Sequence, residues 1–196
     1  YEEAAAQGLR AGLNAAFKAL GKEPVVLGRD EAYIGVLIDD LVTKGTEEPY
    51  RVMTSRAEHP ISLRHDTADL RLTPKIADTP LYTAERAQSF EKRKAQLGRA
   101  AEILNGRADE QKLADFAQKH NICGGLQGVT YADLIRRGAN PAAIREHFNI
   151  LGDLPEDIAK TAEATVKYEG YLKKNAAQIE RAKKLEKKKL PEDIDY

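Results

Sequence analysis

Tyr1-Glu2-Glu3-Ala4-Ala5-Ala6-Gln7-Gly8-Leu9-Arg10-Ala11-Gly12-Leu13-Asn14-Ala15-Ala16 opens the 196-residue sequence and spells one helix. Glu2 and Glu3 fall in its first turn, where carboxylates favour the positive end of the helix dipole. Ala5, Leu9, Leu13 and Phe17 recur every four residues and form one apolar stripe. Gly8 and Gly12 lie four apart beside that stripe. Each costs about 1 kcal/mol in a helix interior relative to alanine. The pair predicts either a close approach by another backbone or a ligand, or a small-residue helix packed tightly on a sheet. Gly21 and then Pro24 stop the helix.

Composition narrows the class. A chain of this length suits one or two domains. Charged residues make up 32% and hydrophobic residues 42%, which fits a helical protein with large solvated faces. The formal net charge is zero, so any contact with nucleic acid must come from local patches. Cys123 is the single cysteine, which excludes an intrachain disulfide and a cysteine zinc site. His59, His65, His120 and His147 show no i, i+4 pairing, so no metal site is expected. No run of about 18 apolar residues occurs, so no membrane span is expected. The acidic N-terminal stretch lacks a signal-peptide pattern, and the expected location is cytoplasmic.

Further along, Asp30 is a candidate cap for a helix over 31–43 that ends near Gly45. Residues 50–64 carry strand-like content without a helical period, and Pro60 interrupts any continuous element. Asp66 or Thr67 can cap a short helix over 68–73. After Pro80 the pattern turns helical. Thr83 caps a helix over 83–104 whose inner side is Ala87, Phe90, Leu97, Ala101 and Leu104. A second helix covers 108–120, Gly124, Gly125 and Gly128 mark a loop, and two short helices follow from Tyr131 and Pro141. Residues 155–189 read as one long helix. Its seam of Thr165, Tyr168, Leu172, Asn175, Ile179, Ala182 and Leu185 predicts an antiparallel partner, with 83–104 as the candidate. The fold class expected is mainly α: a helical domain over 80–196, preceded by a separate region over 1–79.

Two basic patches carry the candidate chemistry. Arg51, Arg56, Arg64 and Arg71 lie close together beside Tyr50 and His65. Guanidinium forks match phosphate geometry, so the cluster suits RNA. Glu58, Asp66 and Asp69 leave only a small positive excess, so structural ion pairs are the alternative. Over 173–189, Lys173, Lys174, Arg181, Lys183, Lys184, Lys187, Lys188 and Lys189 stand against Glu180 and Glu186. That segment is either a solvated helix face or a phosphate-contacting one. Asp39-Asp40 suggests acid–base work or paired carboxylates. Cys123 reads as a bystander in a loop. Tyr168 and Tyr171 suit either core packing or base stacking.

Several stretches together resemble the MnmG/GidA family of tRNA uridine 5-carboxymethylaminomethyl modification enzymes. They are the opening helix, Ala32–Thr43, Glu48–Arg51, Thr54–Glu58, Ala68–Thr73, Val166–Tyr171 and Leu190–Tyr196, in the family's order. The resemblance covers only the C-terminal part of such an enzyme. The Gly-rich dinucleotide loop and the catalytic cysteines lie upstream in the family, and its final small helical segment lies beyond, so the sequence is expected to be a fragment. The family usually continues Ala-Glu-Tyr-Arg-Leu where this chain has Ala57-Glu58-His59-Pro60-Ile61, which removes a tyrosine and an arginine.

The resemblance implies that residues 1–79 are the C-terminal edge of an FAD-binding α/β domain, with Glu2, Glu3 and Gln7 at the cofactor. It implies RNA contacts from Arg51, Arg56, Arg64, Arg71, Lys183, Lys184, Lys187 and Lys188. It implies tRNA and the GTPase MnmE as partners and a homodimeric full-length protein. It also implies modification of carbon 5 of the wobble uridine. Methylenetetrahydrofolate would supply the one-carbon unit, ammonium or glycine the nitrogen, and NADH the reducing equivalents for the flavin. The chain alone is expected to be inactive. The rival expectation is a non-enzymatic helical adaptor whose long helix binds a protein partner.

Overall fold

A computed structural model describes residues 1–45, 47 and 49–188, and within them helices dominate. In chain order these are α1 (Glu2–Ala19), α2 (Tyr33–Thr43), α3 (Ala68–Leu72), α4 (Ala84–Asn105), α5 (Glu110–Lys119), α6 (Tyr131–Arg136), α7 (Pro141–Phe148) and α8 (Glu156–Glu186). Residues 50–64 form turns, with a 3₁₀ turn at Thr54–Arg56, rather than a strand. Among the described residues, β pairing is confined to one antiparallel bridge between Arg107 and Thr130. Glu48, Lys189 and Leu190–Tyr196, which carry parts of the patterns above, lie outside the described residues.

The chain divides into two compact units. One is Pro80–Gly170, and the other is Tyr1–Thr79 together with the chain from Tyr171 onward. Helix α8 contributes its first half to the former and its second half to the latter.

In the Pro80–Gly170 unit the core gathers Leu104, Leu113, Phe116, Leu134, Ile144 and Ile158, each at most 2% exposed. Truncating any of them to alanine would cost about 2–5 kcal/mol. The helix ends follow from local chemistry. Thr83 Oγ1 accepts from the Arg86 amide, as its position predicts. Thr130 and Asp133 satisfy each other's amides in a capping box. Pro141 occupies the first turn of α7 behind Asn140, which caps it. Ala87, Phe90, Leu97 and Leu104 turn inward from α4 as the spacing predicts, but Ala100 is fully buried where Ala101 is exposed. Arg93 pairs with Asp157 at 2.6 Å, and Arg145 pairs with the buried Glu163 at 2.9 Å. Burial raises the Glu163 carboxyl above its ordinary range.

In the other unit, α1 buries Leu13 and Phe17 of the expected stripe but not Ala5 and Leu9. Glu3, Ala6, Arg10, Leu13, Asn14 and Phe17 turn inward, while Ala5 is exposed and Leu9 is 64% exposed. The reason is polar: the Asn14 side chain exchanges two hydrogen bonds with the Val25 backbone (3.1 and 2.9 Å), and Glu3 accepts from the Val52 amide at 2.7 Å. These bonds rotate the helix so that Gly8 and Gly12 face open space. The close approach occurs at Gly35 instead, where an added Cβ would lie 2.2 Å from the Gly28 carbonyl oxygen. Helix α2 begins at Tyr33 after Ala32, and Asp30 does not cap it; its carboxylate accepts from Lys183 at 2.8 Å. Val36, Ala57 and Leu63, with Tyr33 against them, form the small core.

The seam of α8 holds at Tyr168, Leu172, Asn175 and Ile179 and fails at Thr165, Ala182 and Leu185. Its first half turns Ile158, Ala159, Ala162 and Val166 inward, and its second half turns Leu172, Asn175 and Ile179 inward, while Thr165 and Leu185 are exposed. In the second half the partners are loops. Asn175 donates to Ser62 at 3.3 Å, and Lys183 pairs with Asp30, where the sequence pattern suggests a helix.

Candidate functional site

Arg29, which no spacing singles out, is the hub of the arginine-bearing segment. Its guanidinium donates to Glu58 (2.7 Å), Asp40 (2.7 Å), Asp39 (2.9 Å) and the Arg56 carbonyl (3.1 Å). It thereby ties the loop before α2, the end of α2 and the turn after Thr54 into one piece. The bonds to Glu58 lead in raising the Arg29 pKa, so the guanidinium stays charged. Of the two adjacent carboxylates, Asp40 is the buried one, at 2% exposure. It accepts from Lys44 (2.9 Å), Tyr50 (2.7 Å) and Arg29. These donors hold its pKa well below the usual carboxylate range, so it is an anchored anion and not a proton-transfer group.

The anchor positions a cation. Tyr50 is fixed by its hydroxyl, and the Arg56 guanidinium lies over the Tyr50 ring at 4.7 Å. Arg56 and Arg51 are both exposed, and neither forms an ion pair with a described residue. A guanidinium stacked on a ring keeps its edge donors available for phosphate oxygens.

The other two arginines are engaged within the unit. Arg64 is paired with Asp66. Arg71 donates to the Glu31 and Arg64 carbonyls and to Thr67 Oγ1, and burial lowers its pKa. On α8, Lys183 is bound to Asp30, while Lys184 and, just beyond the helix, Lys187 and Lys188 are exposed without ion pairs to described residues. A 450 Å³ cavity is lined by Arg29, Asp30, Glu58 and His59 together with Ile179 and Lys183 of α8, and none of the four arginines of the patch lines it. His59 and Pro60 shape a tight turn, with the Ser62 and Leu63 amides donating to their carbonyls.

The residues expected near the cofactor behave differently from one another. Glu3 is tied to Val52, while Glu2 and Gln7 are exposed. Tyr1, at the N-cap of α1, makes no side-chain capping bond. Cys123 is exposed in its loop, Tyr168 is half-buried and Tyr171 is 60% exposed. No group of His, Cys, Asp and Glu among the described residues is placed to hold a metal ion, and no helix there is long and apolar enough to cross a membrane.

Residues 84–176 match the family described as the tRNA modifying enzyme MnmG/GidA C-terminal helical domain. Over its whole length the chain is 48% identical to the tRNA uridine 5-carboxymethylaminomethyl modification enzyme MnmG of Bacillus thuringiensis (strain Al Hakam), and 47% identical to that of Geobacillus thermodenitrificans (strain NG80-2). The chain spans 32% of the length of each of these curated relatives. In solved structures it superposes along its whole length on 31% of the Aquifex aeolicus GidA chain in its form II crystal, with a TM-score of 0.79 and 36% identity.

Proposed function

Because the chain carries the C-terminal region of the MnmG/GidA family, we propose that it is the RNA-holding and partner-docking part of an FAD-dependent tRNA-modifying enzyme. The whole protein then works in the cytoplasm with the GTPase MnmE as a homodimer and modifies carbon 5 of the wobble uridine. Methylenetetrahydrofolate and NADH are its co-substrates. In this reading residues 1–79 are the edge of the FAD-binding domain and 80–196 the helical domain that meets the GTPase.

The residues present fit one edge of a flavin pocket. Tyr1 at the N-cap of α1 makes no side-chain capping bond, Glu2 and Gln7 are exposed beside it, and the glycine face of the helix is open. Free amides at a helix N-terminus favour negative charge. When bound, FAD supplies the redox chemistry. The 196-residue chain alone is inactive and retains no stoichiometric FAD on purification.

The observation that carries the reading is the exposed Arg56 stacked on Tyr50, whose hydroxyl is held by the buried Asp40, with the exposed Arg51 next to Tyr50 in sequence. Arg51, Arg56, Lys184, Lys187 and Lys188 contact phosphates directly. Arg64 and Lys183 hold the surface in shape through the bonds described above, and Arg71 does so without a carboxylate bonded to its charge. Titration with tRNA at two salt concentrations tests this. Binding that weakens with salt, and weakens again when Arg51 and Arg56 become alanine, supports the reading. No binding at low salt removes RNA recognition from this region.

A second reading, a non-enzymatic adaptor, draws support from the bonds of Asn175 to Ser62 and Lys183 to Asp30. They join the tail of α8 to the first 79 residues in one unit. Binding of a protein partner without any tRNA affinity favours it.

A further inference from the structure

A second cavity, of 380 Å³, opens beside the arginine segment, lined by Tyr33, Thr54, Pro60, Leu63, Arg71 and Leu72 among others. Its volume falls in the lower part of the range for small-ligand pockets, about 300–1,000 Å³. The floor is apolar: Leu63 is 2% exposed and Ala32 6%. Tyr33 lines the wall, and its hydroxyl makes no hydrogen bond with a described residue. All the hydrogen bonds of Arg71 go to neutral oxygens, two carbonyls and a hydroxyl. Its charge is therefore not cancelled by a bonded carboxylate, whereas Arg64 in the same wall is paired with Asp66. Asp66 and then Asp69 act on it through space, without a hydrogen bond to it.

An apolar floor, an aromatic wall with an unused hydroxyl and a cationic flank suit one planar, hydrogen-bonding, anion-bearing group. We propose that this cavity takes a single unstacked nucleotide of RNA, its base against Tyr33 and Leu72 and its phosphate or carbonyl edge toward Arg71. Single-stranded RNA is read in this way elsewhere, by splayed bases on aromatic rings. The 450 Å³ cavity is unsuited to the same role. Asp30, Asp39, Glu58 and Glu186 outnumber Arg29 and Lys183 around it, and phosphate is repelled. The inference rests on the RNA-binding reading and names where a base enters.

The test uses the 196-residue chain with the four nucleoside 5′-monophosphates and inorganic phosphate as probes, followed by NMR at the Tyr33 and Leu72 resonances. Saturable shifts with a nucleotide and none with phosphate are expected. Tyr33→Leu should weaken nucleotide binding roughly tenfold, in line with the loss of one base–aromatic stack. Thr54→Trp, at an exposed rim position, should block the cavity without disturbing the core. Equal shifts with inorganic phosphate alone, or nucleotide binding untouched by both substitutions, overturns the proposal. Salt-sensitive tRNA binding through Arg51 and Arg56 with no nucleotide response overturns the cavity but leaves the RNA-binding reading standing. Nucleotide binding without tRNA binding does the reverse.

Discussion

The buried carboxylate of Asp40 accepts a hydrogen bond from the Tyr50 hydroxyl at 2.7 Å, and that bond fixes the ring on which Arg56 lies. A core interaction thus sets the position of an exposed cation.

Tyr50→Phe tests the coupling. The substitution keeps the ring and removes one of the donors to a buried anion, so stability should fall by about 1.5–3 kcal/mol. Arg56 loses its fixed platform, and tRNA affinity should drop with it. Urea denaturation and tRNA titration of the same variant separate the two effects.

Acid should act on this unit through Asp40. Its folded pKa is depressed, chiefly by the bonds from Lys44 and Tyr50. Its contribution is therefore present above the unfolded value, about 3.9, and is lost as pH falls through the folded value. Wild-type urea midpoints should decline below about pH 4. Asp40→Asn should start lower at pH 7 and show a flatter acid limb.

Gly35→Ala should be severely destabilising, by about 3 kcal/mol or more, because the added methyl meets the Gly28 backbone at 2.2 Å. Gly8→Ala and Gly12→Ala meet nothing within 4 Å and should stabilise the isolated chain by about 1 kcal/mol each through helix propensity. Thermal melts of the three variants should diverge in sign.

Glu163 predicts the opposite pH slope from Asp40. Burial raises its folded pKa, so its contribution is fully present below the unfolded value, about 4.3, and is lost as pH rises through the folded one. Glu163→Gln should remove that part of the slope between wild-type and variant stability curves. An unchanged curve would show that Arg145, at 2.9 Å, fully offsets the burial.

The sequence by itself determined where the helices lie and where they stop. Thr83, Pro141, Gly21 and the apolar spacing of 84–105 are local signals, and local hydrogen bonding responds to them directly. The ordered motifs between Ala32 and Thr73, with Val166–Tyr171, were also sufficient to point to the family. The tertiary structure decided which faces and which charges are used. Leu9 looks inward by periodicity, yet the bonds from Asn14 to Val25 and from Glu3 to Val52 turn it outward. Gly8 and Gly12 announce close packing, yet Gly35 is the glycine that has it. Four arginines look equivalent in sequence, but Arg64 and Arg71 are engaged within the unit while Arg51 and Arg56 stay exposed. Arg29 and Asp40 organise the segment that carries Arg56 with partners 4 to 29 positions away along the chain. Local spacing cannot encode such choices, because a charged side chain settles wherever folding brings a counter-charge or hydrogen-bond partner within reach, at whatever sequence separation.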